Sequence, residues 1–308
     1  MYRFKRLLVG LKLDPNYDKY TIQYAAKITR MAKSEKIYFL HVAKTLDFPE
    51  ELEKEYPEIN RPIDEVDQEK MEKMVMDNFK NGHPNTKIVY RVVEGNPLTE
   101  LLKRTKQKLI DMIILGKDIE GTRLDIAEKV VRKAPCSVMI VPQGSRALIK
   151  RVLAPIDFSE CSVNAVNKAI AFASTASLNP PIDFLHVYSV PWSYYSTGKS
   201  YDDFAKILKE HAEESYWKFI SQFDLKEIKV TPIFKLSESI PKTIHQTIKE
   251  QGSDLLFLGV RGKRAAVTVL LGSTTEKLLQ TTRIPLVIVK RKGAGIGLLE
   301  ALFDLNRS

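Results

Sequence analysis

An internal repeat constrains the fold of this chain more than any other feature. Four short segments recur in the same order in both halves of the sequence, and the first two pairs lie 145 residues apart, since 150 minus 5 and 186 minus 41 give the same number. The pairs are Lys5–Leu8 with Lys150–Leu153, Phe39–Val42 with Phe184–Val187, Ile113–Gly116 with Leu256–Gly259, and Ala134–Val138 with Ile284–Ile288. Because 308 residues suffice for two domains, the repeat predicts two copies of one domain.

Apolar runs rich in β-branched residues alternate with amphipathic segments in each half, a pattern typical of a parallel sheet flanked by helices. The predicted fold is α/β, with two tandem doubly wound domains of five parallel strands each. The predicted strands are Arg6–Leu11, Lys36–Val42, Lys87–Val93, Asp111–Leu115 and Ser137–Val141, then Lys150–Ile156, Ile182–Val187, Glu227–Phe234, Asp254–Leu258 and Leu286–Val289. The predicted helices are Tyr20–Ala32, Asp67–Phe79, Pro97–Lys108 and Leu124–Arg132, then Ser162–Ser174, Asp202–Phe223, Ile240–Glu250 and Thr274–Gln280. The predicted domains span residues 1–144 and 145–291, followed by a helical tail, 292–308.

Composition and charge narrow the class of protein. No segment approaches the roughly 18 uncharged residues of a membrane span, and Lys12 and Asp14 interrupt the first apolar run before it could form a signal peptide. The two cysteines, Cys136 and Cys161, lie in unrelated contexts and predict neither a disulfide framework nor a metal site, so a cytoplasmic location is expected. The net charge of +10 is dispersed among acidic residues, which favours a solvated surface over a nucleic-acid interface.

The two halves differ most in the loop after the fourth strand. In the second half this loop contains Gly259, Gly262, Gly272 and Ser273, in the spacing G-x-x-G, nine residues, then G-S, and a predicted helix follows. Glycines allow positive φ and close approach of the backbone to a ligand, and a helix N-terminus offers unpaired N–H groups to an anion. Ser273 occupies the position expected for the helix cap. The spacing favours a phosphate site over a plain glycine turn, and Arg261 adds positive charge beside it.

This loop resembles the ATP-binding signature of the universal stress protein family, and the chain resembles the tandem two-domain members over residues 1 to 291. Val152–Ser159 is similar to the family's first strand, whose aspartate contacts the nucleoside, and Leu185–Val187 is similar to its second strand, whose valine backbone meets adenine. The resemblance implies a nucleotide site made of Pro155, Ile156, Asp157, Val187, Gly259, Arg261, Gly262, Gly272, Ser273 and Thr274. It implies ATP as the ligand, with or without Mg²⁺, and pairing of the two halves through Ser137–Val141 and Leu286–Val289.

The first half departs from the same pattern at two places. Lys12 stands at the position equivalent to Asp157, and Gly116 is followed by Lys117, Asp118 and, two residues on, Glu120, with no later Gly-Ser. A nucleotide in the first half would lose its nucleoside partner and its phosphate loop, and the two carboxylates would repel its phosphates. The sequence therefore predicts one nucleotide per chain.

Motifs of ATP-cleaving enzymes are absent from the sequence: there is no S-G-G-x-D-S, H-I-G-H or G-x-x-x-x-G-K-S/T. The G-x-S-x-G motif of serine hydrolases is absent as well. We therefore expect an ATP-binding regulatory or sensor protein of the stress response with at most weak ATPase activity and no catalytic or metal-binding residues. The alternative is a slow ATP hydrolase or nucleotidyl-transferring enzyme that uses the same pocket. A protein partner or a homo-oligomer is compatible with either function.

Four further features lie outside the predicted pocket. His41 and His186 end equivalent strands, which favours a shared structural role such as a hydrogen bond to a loop. Glu160 is interpreted as a solvated carboxylate. The aromatic segment Trp192–Tyr195 fits a flap, an interface or internal packing equally well. In the tail, Ile296, Leu299, Leu302 and Phe303 share one helical face, which favours a helix docked on its own protein over a partner-binding helix.

Overall fold

The computed structural model describes residues 4–43, 63–118, 125–176, 179–260 and 271–290, which fall into two compact units divided between Ala147 and Leu148. In the first unit the elements are β1 Arg6–Leu11, α1 Pro15–Ala32, β2 Lys36–Ala43, α2 Ile63–Asn78, β3 Lys87–Glu94, α3 Pro97–Gln107, β4 Met112–Lys117, α4 Asp125–Lys133 and β5 Ser137–Pro142. In the second they are β6 Val152–Pro155, α5 Glu160–Ala173, β7 Ile182–Tyr188, a 3₁₀ helix Trp192–Thr197, α6 Tyr201–Ile220, β8 Val230–Leu236, α7 Ile240–Gln251, β9 Leu255–Gly259, α8 Ser273–Thr281 and β10 Leu286–Val289.

Both units contain a five-stranded parallel sheet, so the predicted fold class is confirmed. The strand order is β3-β2-β1-β4-β5 in the first unit and β8-β7-β6-β9-β10 in the second. Leu7, Leu8 and Val9 of β1 are all buried, as expected for a strand with helices on both faces. In each unit the strand order reverses beside the first strand, and such a reversal opens a crevice at the carboxyl ends of the strands.

The predicted and observed elements agree closely, and the largest differences are at two helix starts, because α1 begins five residues and α2 four residues earlier than predicted. Helix α1 starts at Pro15 instead of Tyr20, because Asp14 caps it by accepting a hydrogen bond from the Asn16 N–H and proline suits the first helical turn. The 3₁₀ helix after β7 was not predicted. The described residues include no helix that is long and apolar enough to cross a membrane. The predicted tail lies outside the described residues, and the predicted pairing of the two halves stays a prediction.

A bidentate ion pair lies on the sheet of the second unit. Arg151 donates hydrogen bonds from Nε to Asp183 Oδ2 at 2.6 Å and from a terminal guanidinium nitrogen to Oδ1 at 2.9 Å. Asp183 is fully buried on β7, and the hydrogen bond to this carboxylate raises the pKa of Arg151 above its ordinary value. The equivalent positions of the first unit hold Arg6 and Tyr38, so the repeat keeps the arginine and replaces its carboxylate.

Candidate functional site

The crevice of the second unit opens where β6 ends before its neighbours. Strand β6 stops at Pro155, whereas β7 continues to Tyr188 and β9 to Gly259. Ile156 holds the end of β6 against β7, because its N–H donates to Leu185 O at 2.8 Å and its carbonyl oxygen accepts from His186 Nδ1 at 2.9 Å. Beyond this point Val187 pairs with β8 alone, opposite Lys235. The backbone of Val187 therefore lies at the edge of the crevice.

Asp157 organises the loop between β6 and α5. Its Oδ1 accepts hydrogen bonds from the hydroxyls of Ser159 and Ser162, both at 2.6 Å, and from the Ser159 N–H at 3.1 Å. Ser159 in turn caps α5, and its hydroxyl accepts from the Ser162 N–H at 3.3 Å. Asp157, which the resemblance assigns to nucleoside binding, therefore also has a structural role in this loop.

Phe158, which the sequence analysis did not single out, is the residue of this loop with an unusual backbone. Its φ of 61° lies in the left-handed region, and its ring stacks on His186 with centroids 4.5 Å apart and packs edge-on against Phe219. Leu13, at the equivalent position of the first unit, has a φ of 65°. The matching angles show that both copies keep one loop conformation with different side chains.

Gly259 ends β9 at a point where the chain passes very close to α5. A Cβ on Gly259 would lie 2.7 Å from the carbonyl oxygen of Cys161 and 2.9 Å from its carbonyl carbon. Gly259 does not have a positive φ, so close approach to the backbone, and not left-handed geometry, explains this glycine.

Gly259 and Gly116 occupy equivalent positions, and a methyl group added at each should lower the free energy of unfolding by different amounts. Gly259→Ala should lower the free energy of unfolding by about 2 kcal/mol, because the clash is with backbone atoms that cannot rotate away. Gly116→Ala should cost about half as much, since its nearest atoms, Tyr17 Cε1 at 2.6 Å and Thr21 Oγ1 at 2.7 Å, belong to side chains. Urea unfolding of both variants checks this, and a larger cost at Gly116 would contradict it.

The cap of α8 lies one residue earlier in the sequence than predicted. Gly272 is the cap residue of α8 and Ser273 is its first helical residue, with an exposed side chain, so the predicted role of Ser273 as the cap is wrong. Gly272 has φ −64° and ψ 142°, and an added Cβ would come no nearer than 3.6 Å to Val260 O. Neither backbone geometry nor packing among the described residues requires glycine here. Arg261 and Gly262 lie outside the described residues.

The two ends of this loop meet beside the crevice. The Gly272 N–H donates to Val260 O at 3.4 Å, and the first helical hydrogen bond of α8 runs from Glu276 N–H to Gly272 O. By helix geometry, the N–H groups of Ser273, Thr274 and Thr275 have no acceptor within α8. These three amides directly follow Gly272, which is hydrogen-bonded to Val260 at the end of β9.

In the first unit a tyrosine ring lies against the glycine equivalent to Gly259. Tyr17, equivalent to Ser162, lies against Gly116, and Lys12 Nζ is 4.2 Å from the centre of its ring. Burial, followed by the charges of Asp18 and Asp118, raises the pKa of Tyr17 above its ordinary value, so the phenol stays neutral. Glu120 lies outside the described residues.

The sequence model of the universal stress protein family matches residues 3–142 and again residues 148–290. The chain belongs to the universal stress protein family. Two universal stress proteins of Methanocaldococcus jannaschii are 25% and 26% identical to it, over 47% and 48% of this chain and 84% and 98% of their own lengths.

Solved structures support the same fold. A universal stress protein of Archaeoglobus fulgidus has a TM-score of 0.60 at 17% identity and covers 94% of this chain and 100% of its own. A protein of unknown function from Pseudomonas aeruginosa has a TM-score of 0.67 at 13% identity, with 98% of each chain covered. At these identities the likeness extends to the fold of a tandem universal stress protein.

The first universal stress domain buries a carboxylate under its own loop. Asp18 Oδ2 accepts hydrogen bonds from the N–H groups of Lys12, Leu13 and Asp14 at 2.9, 2.7 and 3.2 Å, while its Oδ1 has no hydrogen-bond partner among the described residues. Burial raises the pKa of Asp18 to about 6, against the lowering effect of these three donors. In the first unit Asp18 on α1 therefore stabilises the loop after β1, and in the second unit Asp157 stabilises the equivalent loop.

Asp18 should make stability depend on pH. Between the ordinary carboxyl pKa of 3.8 and about 6, the folded state keeps a proton that the unfolded state has lost, so stability falls as the pH rises through this window. Relative to Asp18→Asn, the wild type should lose about 2 kcal/mol of unfolding free energy between pH 4 and pH 7. Urea unfolding at both pH values measures this difference. Parallel pH profiles for the two proteins would contradict the assignment.

The remaining sequence predictions have mixed outcomes. The shared role of the two histidines is confirmed, because His41 Nδ1 donates to Leu11 O at 3.0 Å just as His186 does to Ile156 O. Glu160 is exposed at the start of α5, as predicted. In the aromatic segment Trp192 and Tyr195 are 87% and 66% exposed, so internal packing does not account for them. The described residues bring together no group of three or more metal-binding side chains.

Proposed function

We propose that this universal stress protein binds one ATP molecule per chain in the crevice of its second unit and acts as a nucleotide-dependent regulator. The observation that carries the proposal is the difference between the two crevices. In the second unit a glycine-capped helix, α8, presents free amides beside the end of β9. In the first unit the Tyr17 ring lies against the equivalent glycine.

The described residues suit the parts of a nucleotide. The amides of Ser273, Thr274 and Thr275 and the positive end of the α8 dipole fit the phosphates. The absence of a Cβ at Gly272 lets a phosphate oxygen approach the backbone closely. Pro155 and Val187 offer backbone edges to the base beside Ile156, whose own N–H and carbonyl oxygen are bonded to β7. Asp157 offers its carboxylate to the ribose, and Arg261 and Gly262 complete the predicted phosphate loop. A Mg²⁺ ion would arrive with the phosphates.

A binding role is favoured over an enzymatic one. The sequence contains none of the ATP-cleaving motifs named above, and Glu160 is an exposed carboxylate at the start of α5. A ligand at a hundred times its Kd stabilises the folded state by about 2.7 kcal/mol, which is sufficient for nucleotide occupancy to act as a signal. Turnover of MgATP should stay below about one per minute, far below typical enzyme rates.

Calorimetric titration of ATP into the purified chain tests the proposal. We expect a stoichiometry of one, because the first unit lacks the glycine loop and has Lys12 at the position of Asp157. Thermal shifts with ATP, GTP, AMP and inorganic phosphate, measured in parallel, identify the part of the ligand that is recognised. A stoichiometry of two, no binding, or equal shifts with inorganic phosphate and ATP would overturn the proposal.

A further inference from the structure

The sheet of the first unit contains a cavity that is not part of the predicted nucleotide site. It has a volume of about 300 Å³, at the lower end of the range typical of ligand sites. Its walls include Lys36 and Lys87, the first residues of β2 and β3, and Ile110, which precedes β4. The cavity is therefore near the amino ends of the strands, whereas the predicted nucleotide crevice is at the carboxyl ends.

The floor of this cavity is formed by apolar and aromatic side chains of three adjacent strands. Leu8, Tyr38 and Val89 are neighbours across three strands, because Leu8 is opposite Tyr38 and Tyr38 is opposite Val89 in the sheet register. Residues two apart on a strand share a face, so Leu40 joins this surface. Such a floor suits a planar apolar group.

Five basic side chains surround the floor, and no Asp or Glu lines the cavity among the described residues: the cations are Lys36, Lys87, Arg91, Arg104 and Lys108. Lys36 and Lys87 lie directly opposite each other on adjacent strands. Like charges in that relation destabilise a sheet unless an anion lies between them. The arrangement thus favours occupation by a ligand with several negative charges.

Arg104 supplies an unused donor at the wall. Its Nε is buried and makes no hydrogen bond within the described structure, and Glu100 Oε2, which forms an ion pair with it, is 3.8 Å away. A buried donor without an acceptor destabilises the folded state, so an anion that accepts from Arg104 would recover this energy.

On the equivalent face of the second unit's sheet, an internal carboxylate neutralises the basic side chain. There Asp183, fully buried, receives both hydrogen bonds of Arg151. The first unit has Tyr38 in place of that carboxylate, and its equivalent arginine, Arg6, donates to the Lys108 carbonyl oxygen at 3.3 Å. Loss of the fixed acid leaves an excess of cations around an open cavity.

We propose that this basic pocket, lined by Lys36, Lys87, Arg91, Arg104 and Lys108, binds a small phosphorylated molecule with a flat apolar body. One phosphate monoester supplies two negative charges and three acceptor oxygens to several donors at once, which a single carboxylate does not. The planar body lies on the floor of Leu8, Tyr38 and Val89. The site is independent of the nucleotide crevice and does not rest on the proposed function.

Calorimetric titration with 4-methylumbelliferyl phosphate tests this site, since the probe combines a planar ring system with a phosphate and lacks adenine. Lys87→Gln/Arg91→Gln should weaken binding at least 10-fold, and both residues are exposed, so folding should be unaffected. The matched control is Lys70→Gln/Lys73→Gln on α2, which removes the same charge from two exposed lysines outside the pocket and should change the affinity less than 2-fold.

Two further titrations test whether the phosphate is recognised and whether the probe binds at the nucleotide crevice instead. Unphosphorylated 4-methylumbelliferone should bind at least 10-fold more weakly than the probe, and Gly272→Asp, at the nucleotide crevice, should leave probe binding unchanged. Absence of binding to the wild type, equal losses in the two lysine variants, or equal affinity for the unphosphorylated compound would overturn the proposal. Loss of probe binding in Gly272→Asp with retention in Lys87→Gln/Arg91→Gln would also overturn it.

Discussion

Gly272→Asp should weaken ATP binding more than 100-fold while leaving the protein as stable as the wild type or slightly more so. Gly272 is the cap residue of α8 in an ordinary extended conformation, and an added Cβ meets no atom closer than 3.6 Å. Aspartate is among the best cap residues, because its carboxylate accepts from the amides of the first turn. The same carboxylate would take the amides proposed for the phosphates and would repel them.

Two controls make this variant specific. Gly272→Asn caps the helix without a charge, so it should bind ATP with an affinity between those of the wild type and Gly272→Asp. Thermal unfolding without nucleotide should show no loss of stability in either variant, and calorimetry gives the affinities. Unchanged ATP binding in Gly272→Asp would contradict the proposed phosphate site. A large loss of stability would show that the fold requires glycine at this position.

Arg151→Met should lower the free energy of unfolding by about 3–5 kcal/mol. It would leave the carboxylate of Asp183 charged and fully buried after removing both of its hydrogen bonds to Arg151. Removing one partner of a buried pair is this costly because the remaining charge has neither water nor counterion. Urea unfolding at pH 7 measures the effect.

The repeat supplies a matched control for this prediction. Arg6→Met, at the equivalent position of the first unit, should cost less than 1 kcal/mol, because Arg6 makes one long hydrogen bond to a carbonyl oxygen and faces no buried acid. Arg151→Met/Asp183→Leu should recover most of the stability, since a buried pair can be replaced by apolar residues of similar size at little cost. Equal losses in Arg6→Met and Arg151→Met would refute the explanation.

Much of the fold could be predicted from local sequence patterns. Apolar runs predicted all ten strands, with β1 and β10 at their observed bounds, because a buried parallel strand needs a continuous apolar segment. The late predicted start of α1 is instructive. The cap residue Asp14 and the first-turn proline Pro15 signal the earlier start, and apolar periodicity alone did not detect them.

Parts of the candidate site depended on geometry that spacing does not encode. The prediction that Ser273 caps α8 was wrong by one residue, because the cap is set by where the backbone turns into the helix. The sequence identified Lys12 and the missing glycine loop as departures in the first half. It did not reveal that Tyr17 lies against Gly116, since this contact joins α1 to the end of β4.

The sequence by itself determined the duplication, the α/β class, the family and the one complete glycine loop, because these depend on periodicity and spacing along the chain. Only the tertiary structure decided which side chains meet across strands and helices. The buried Asp18, the Arg151–Asp183 pair and the cluster of cations around Tyr38 all join residues that are distant in sequence or lie on separate elements. Their energies arise from burial and from charges brought close together, and neither exists until the chain has folded.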